Sequence, residues 1–127
     1  MKRLLSLTVI GIAIVVLAAC SSDASSRAAQ PSIDPNALRI SAKDLKFSTS
    51  SLAAPADEPF QIAFDNQEGA PHNVAIYADS SASKKIFGED PFGGPAVVVY
   101  DVPELAAGSY FFRCDVHPDM SGELTAG

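Results

Sequence analysis

From Leu38 onward the chain alternates apolar and polar positions over short stretches, and none of them keeps a helical repeat. Leu38, Ile40 and Ala42 share one parity, and Lys43, Leu45 and Phe47 follow one position out of step. That step predicts a β-bulge at residues 42–44. Phe60, Ile62 and Phe64 alternate in PFQIAFD, and His72, Val74 and Ile76 share a face in HNVAIY. Residues 79–95 are the least regular, with a short edge strand predicted over Lys84 to Phe87. Ala96 to Tyr100 is a continuous apolar run, the pattern of a strand covered on both faces. In GSYFFRC, Tyr110, Phe112 and Cys114 share one face and leave Phe111 and Arg113 on the other. Gly122 opens a last short strand. Clusters of Gly, Pro, Asn and Asp separate these runs, so about seven short strands predict an all-β domain, an antiparallel Greek-key β-sandwich.

The N-terminal part is patterned differently. Met1-Lys2-Arg3 precedes an apolar run from Leu4 to Ala19, broken only by Ser6, Thr8 and Gly11. A transmembrane anchor is one reading of this run, but spanning a hydrocarbon core takes about 20 residues and the run is shorter. Leu17-Ala18-Ala19-Cys20 resembles the bacterial lipoprotein signal, which implies cleavage before Cys20 and lipidation of that cysteine. The expected organisation is a signal over residues 1–19, a flexible Ser/Ala/Pro-rich tether over residues 20–36, and a folded domain over residues 37–127. The acyl chains would hold the domain on a bacterial membrane, facing the periplasm or the cell exterior.

Composition changes this picture little. The 127 residues are 47% apolar, ordinary for one globular domain. The formal charge is −6, and loss of Lys2 and Arg3 with the signal makes it two units more negative. No Lys/Arg-rich face is available for phosphates, which excludes nucleic acid as a partner. Two cysteines are too few for a disulfide scaffold. With Cys20 lipidated, Cys114 has no partner, and an exported lone thiol is a liability unless buried or bound.

The neighbourhood of Cys114 gives that thiol a use. Cys114-Asp115-Val116-His117-Pro118-Asp119-Met120 places thiolate, imidazole and thioether on one short loop after an aromatic strand. Soft sulfur and imidazole together suit copper, and a His₂Cys set with a weak axial Met is the blue-copper arrangement; zinc sites seldom include a thioether. The second histidine is His72, after the turn Gly69-Ala70-Pro71. Pro71-His72-Asn73, taken with Cys114-x-x-His117-Pro118-x-Met120-x-Gly122, resembles the cupredoxin family, and the short loop is most similar to its amicyanin type. Gly108-x-Tyr110-x-Phe112-x-Cys114 is similar to the family's strand leading into the copper thiolate. The resemblance covers about residues 38–127 and implies one copper ion, with His72, Cys114 and His117 as equatorial ligands and Met120 as the axial one. It also implies that Asn73 joins the two ligand loops by hydrogen bonds. Asp115 stands where many members carry Thr or Ser, a departure that bears on the reduction potential.

Three functions fit this reading. The first is a small electron carrier with no catalytic residues and no small-molecule substrate, a monomer meeting transient redox partners. His117 would be its electron exit, with Ala53, Pro55, Gly69, Ala70, Pro71, Phe92 and Pro118 as a docking patch and Asp115, Asp119 and Glu123 steering a basic partner. The second is copper buffering or delivery from the same site, and the third is a metal-free structural module on the same fold.

Overall fold

The computed structural model describes residues 32–127. The expected signal, the lipidated Cys20 and most of the tether lie outside the described residues. The nine strands are β1 (Leu38–Lys43), β2 (Lys46–Phe47), β3 (Ser51–Ala54), β4 (Phe60–Asn66), β5 (Ala75–Tyr77), β6 (Lys85–Phe87), β7 (Ala96–Val102), β8 (Gly108–Arg113) and β9 (Ser121–Ala126), with no helix among the described residues. Two sheets face each other, ordered β2-β1-β4-β7 and β3-β9-β8-β5-β6. The all-β sandwich expected from the alternation is therefore present. Its sheets are mixed rather than purely antiparallel, because β1 runs parallel to β4 and β3 parallel to β9. The chain changes sheet five times, first between β2 and β3 and straight back between β3 and β4.

The core is built by alternate residues of the two inner faces. Ile62 and Phe64 of β4 meet Phe112 of β8 and Leu124 of β9, all fully buried. Burying each such side chain contributes about 1.5–3 kcal/mol, and this one layer supplies much of the driving force for folding. Toward one end the layer is aromatic: Phe64 packs on Phe92 and Tyr100, with centroids 5.6 and 6.0 Å away, and Phe47 on Phe112 at 5.6 Å.

Three local readings need correction. The parity step at residues 42–44 is a hairpin turn and not a bulge: Lys43 pairs with Lys46, and Asp44 and Leu45 form the two-residue connection at φ 53° and 56°. Two-residue hairpin turns need positive φ at these positions to match strand twist, and a turn breaks the alternation just as a bulge does. The AVVVY run is covered on one face only; β7 is an edge strand and Val97 is 49% exposed. Strand β3 escaped the reading because its SLAA sequence is short and carries no aromatic or β-branched residue. At the start of the described chain, a turn at Asp34–Asn36 is docked on the sandwich by a bond from the Asp34 N–H to Oε1 of Gln61.

Candidate metal centre

The candidate ligands His72, Cys114, His117 and Met120, with Asn73 and Asp115, collect at one end of the sandwich, where β4 and β8 finish and β9 begins. His72 leads toward β5 and is held by a two-way backbone bridge to Phe92, with N···O distances of 3.1 and 3.0 Å. Asn66, fully buried at the end of β4, ties these loops together. Its Nδ2 donates to the carbonyls of Ala70 and Phe92 at 2.9 and 2.7 Å, and its Oδ1 accepts from the Glu68 N–H at 3.1 Å. Cys114 follows β8 directly. A seven-residue loop then returns on itself, with the Cys114 N–H donating to the Met120 carbonyl and the Met120 N–H to the His117 carbonyl, both at 2.9 Å.

The outcome is a compact donor set. Sγ of Cys114 lies 3.7 Å from Nδ1 of His72 and 3.7 Å from Nδ1 of His117, and the three atoms all fall within 4.8 Å of one another. Metal–nitrogen and metal–sulfur bonds of about 2.0 and 2.3 Å at a trigonal angle place N and S about 3.7 Å apart, so both N···S separations match those of a shared metal ion. His72 and Cys114 are fully buried, Met120 is nearly so, and His117 is half-buried. Among the described residues Cys114 is the free cysteine, which leaves its thiol available as a ligand.

Glu68 orients the first imidazole. Its Oε1 accepts from Nε2 of His72 at 2.6 Å, and because a carboxylate only accepts, that nitrogen carries the proton. The lone pair of Nδ1 is then left facing Sγ. The same carboxylate accepts from the backbone N–H groups of Asp44 and Leu45 at 2.9 and 3.0 Å. The Leu45 N–H and then the His72 side chain hold the Glu68 carboxyl below its usual pKa.

Asn73 and Asp115 meet between the loop of His72 and the loop of Cys114. Nδ2 of Asn73 donates to Oδ2 of Asp115, and the Asp115 N–H donates to Oδ1 of Asn73, each at 2.9 Å. Lys85 Nζ adds a bond to Oδ2 at 2.6 Å, and the Tyr77 hydroxyl donates to Oδ1. Burial pushes the Asp115 carboxyl up, but the bonds from Lys85, Tyr77 and Asn73 outweigh it and leave its pKa below the ordinary value.

The cupredoxin-like domain family matches residues 10–126 of the sequence. The chain belongs to that family. Amicyanin of Paracoccus versutus is 30% identical over 95 residues, a match covering 72% of this chain and 66%, just under two thirds, of the relative. Among solved structures, reduced auracyanin from Roseiflexus castenholzii superposes with a TM-score of 0.64 at 17% identity, covering 72% of this chain and 96% of that one. Auracyanin A of Chloroflexus aurantiacus, described as a "blue" copper protein, gives 0.62 at 20% identity, covering 72% and 98%. At these identities the two structural likenesses are likenesses of fold.

Not every residue expected near the centre of this cupredoxin is there. Ala53 and Pro55 lie at the opposite end: Ala53 pairs with Thr125, near the far end of β9, and Pro55 borders a cleft with Phe60, at the start of β4. Strand direction decides this, since β3 runs parallel to β9 and away from the ligand loop. Asp115, expected as a steering charge, is neutralised by Lys85. Glu68, Asn66, Tyr77 and Lys85 went unread in the sequence. A Pro-His preceded at four residues by a Glu is the one local cue that was available for Glu68; the other three act over distances that no local pattern records.

Proposed function

We propose that this cupredoxin is a small blue-copper electron carrier, in which His72, Cys114, His117 and Met120 would hold the copper ion. The observation that carries the reading is the placement of both imidazole Nδ1 atoms 3.7 Å from the unpaired, buried Cys114 sulfur. A bound copper ion would supply a one-electron Cu(II)/Cu(I) couple. The chain's own residues supply rigidity. Glu68 fixes the His72 ring, the Met120 carbonyl fixes the Cys114 backbone, and Asn73 fixes the next residue. Ligands clamped this way move little when the charge at the centre changes by one, which keeps electron exchange fast.

His117 is the one of the three triangle ligands with solvent exposure, flanked by exposed Val116 and Pro118. That makes its ring edge the exit for the electron, and small apolar neighbours suit brief contact with a redox partner. The same reading places the protein outside the cytoplasmic membrane, lipidated at Cys20, and working as a carrier and not as an enzyme. The basis for this placement is the resemblance of Leu17-Ala18-Ala19-Cys20 to the lipoprotein signal.

The visible spectrum of the Cu(II)-loaded protein tests the site. An intense blue band that bleaches reversibly on reduction, and is lost in Cys114→Ser, is the expected result. A colourless protein that binds copper weakly would leave a structural module, and one that holds only Cu(I) would point to copper delivery. Radiolabelled palmitate incorporated by the wild type and not by Cys20→Ala tests the anchor.

A further inference from the structure

Asp115 follows Cys114 directly, and its carboxylate is gripped by the Asn73 amide, the Tyr77 hydroxyl and the Lys85 ammonium. Lys85 opens β6, an edge strand whose partner is β5, so this one carboxylate joins the ligand loop to the rim of the sheet. The ammonium is also placed by a ring, since Nζ stands 5.7 Å from the Tyr77 centroid. On the same ring the Arg113 guanidinium stacks at 4.9 Å. The Asp115 side chain is 21% exposed and that of Lys85 45% exposed, so water screens the pair incompletely.

We propose that Lys85 is a positioning residue for the metal centre, one that cancels the charge of Asp115 beside Cys114 and so sets the reduction potential; this rests on the blue-copper reading above. A hydroxyl at position 115 would need no counter-ion. A carboxylate there, left alone, adds a negative charge one residue from the thiolate and favours the more positive, oxidised state of the centre. Lys85 removes that bias at a bond length of 2.6 Å, while Tyr77 and Asn73 keep the carboxylate turned toward it. The pair also has a mechanical role, because it staples the loop carrying Cys114 to β6 whether or not metal is bound.

Cyclic voltammetry on Lys85→Met, Lys85→Arg, Asp115→Asn and the Lys85→Met/Asp115→Asn double variant tests the charge. Lys85→Met is expected to lower the potential, shifting the reduced-to-oxidised ratio about three- to tenfold, or about 30–60 mV for one electron. Asp115→Asn is expected to raise it, the double variant to return close to the wild type, and Lys85→Arg to keep the wild-type value. A copper-independent readout comes from urea unfolding of the metal-free proteins. There the double-mutant cycle is expected to show a coupling of about two- to fivefold in the unfolding equilibrium constant. If Lys85→Met keeps its blue band with an unmoved potential, or if Lys85→Arg shifts as far as Lys85→Met, this proposal falls and the electron-carrier reading stands. A metal-free cycle with no coupling overturns the staple. A wild-type protein with no blue band overturns the copper reading and this proposal with it.

Discussion

Nε2 of the fully buried His72 lies 2.6 Å from Oε1 of Glu68, four residues earlier in the chain. The carboxylate fixes the ring's tautomer and at the same time anchors the turn between β1 and β2 through two backbone N–H groups. Glu68→Gln keeps the size of the side chain but has one oxygen for three donors, and its amide would face an N–H it cannot accept from. We expect it to weaken copper binding about 10–100-fold, the range found when a residue supporting a metal-ligating histidine is lost. Competition against a chromophoric chelator measures this, and an unchanged affinity would show that the ring is held by packing alone.

The turn that Glu68 anchors is itself strained. Leu45 sits at φ 56° and is 53% exposed, so it takes a left-handed backbone without burying much of its side chain. A left-handed L-residue costs about 1–2 kcal/mol; a glycine avoids that cost, but its greater loss of freedom on folding cancels part of the gain. Leu45→Gly is therefore expected to stabilise the metal-free protein by about 0.5–1 kcal/mol. A higher urea midpoint with an unchanged slope would bear this out; a lower midpoint would mean that the Leu45 side chain contributes packing after all.

How far these relationships were legible depends on their range. The ligand loop from Cys114 to Met120 is contiguous, so its chemistry is written in the order of its residues. The alternations in β4 and β8 gave the inner faces correctly, because Ile62, Phe64 and Phe112 are buried as a period of two requires. The parallel pairs β1–β4 and β3–β9 were not legible, since a strand's own pattern does not say which neighbour it takes. Lys85 and Asp115 are thirty positions apart, and each alone reads as a solvated charge. Glu68 was hidden in the same way: Gln67-Glu68-Gly69 looks like an ordinary polar turn until the fold closes it over His72.

The charge pair carries a pH signature on the alkaline side. The hydrogen bond to Asp115 raises the Lys85 pKa above its ordinary 10.5, with burial opposing it. A group whose pKa is raised by folding contributes stability fully below its unfolded value and loses it as pH rises through the folded value. The coupling between Lys85→Met and Asp115→Asn in the metal-free protein should then be constant from neutrality to about pH 10 and decline above that. Urea midpoints of the four proteins at pH 7, 9 and 11 are enough to see it. A coupling that falls between pH 7 and 9 would mean that Lys85 titrates low, against the direction its partner imposes.

Gly122, the last position of the ligand-loop motif, is fixed by space. It pairs with Phe112 across β8 and β9, and a Cβ added there would overlap both the Phe112 ring edge and the Ser50 carbonyl. Neither neighbour is free to give way. Phe112 is fully buried, with its ring packed on Phe47, and the Ser50 carbonyl accepts the Glu123 N–H at 2.9 Å where β3 joins β9. Gly122→Ala must therefore push the start of β9 outward, and Met120 lies two residues before it. Overpacking of this kind costs about 1–3 kcal/mol, and we place this variant at the upper end because two rigid groups are struck at once. The same displacement pulls on the Met120 carbonyl that holds the Cys114 N–H. In copper-loaded protein the variant should thus show a changed blue-band position as well as a lowered thermal midpoint. A destabilised protein with an unaltered spectrum would separate the two effects and show that the ligand loop is held from the Cys114 side alone.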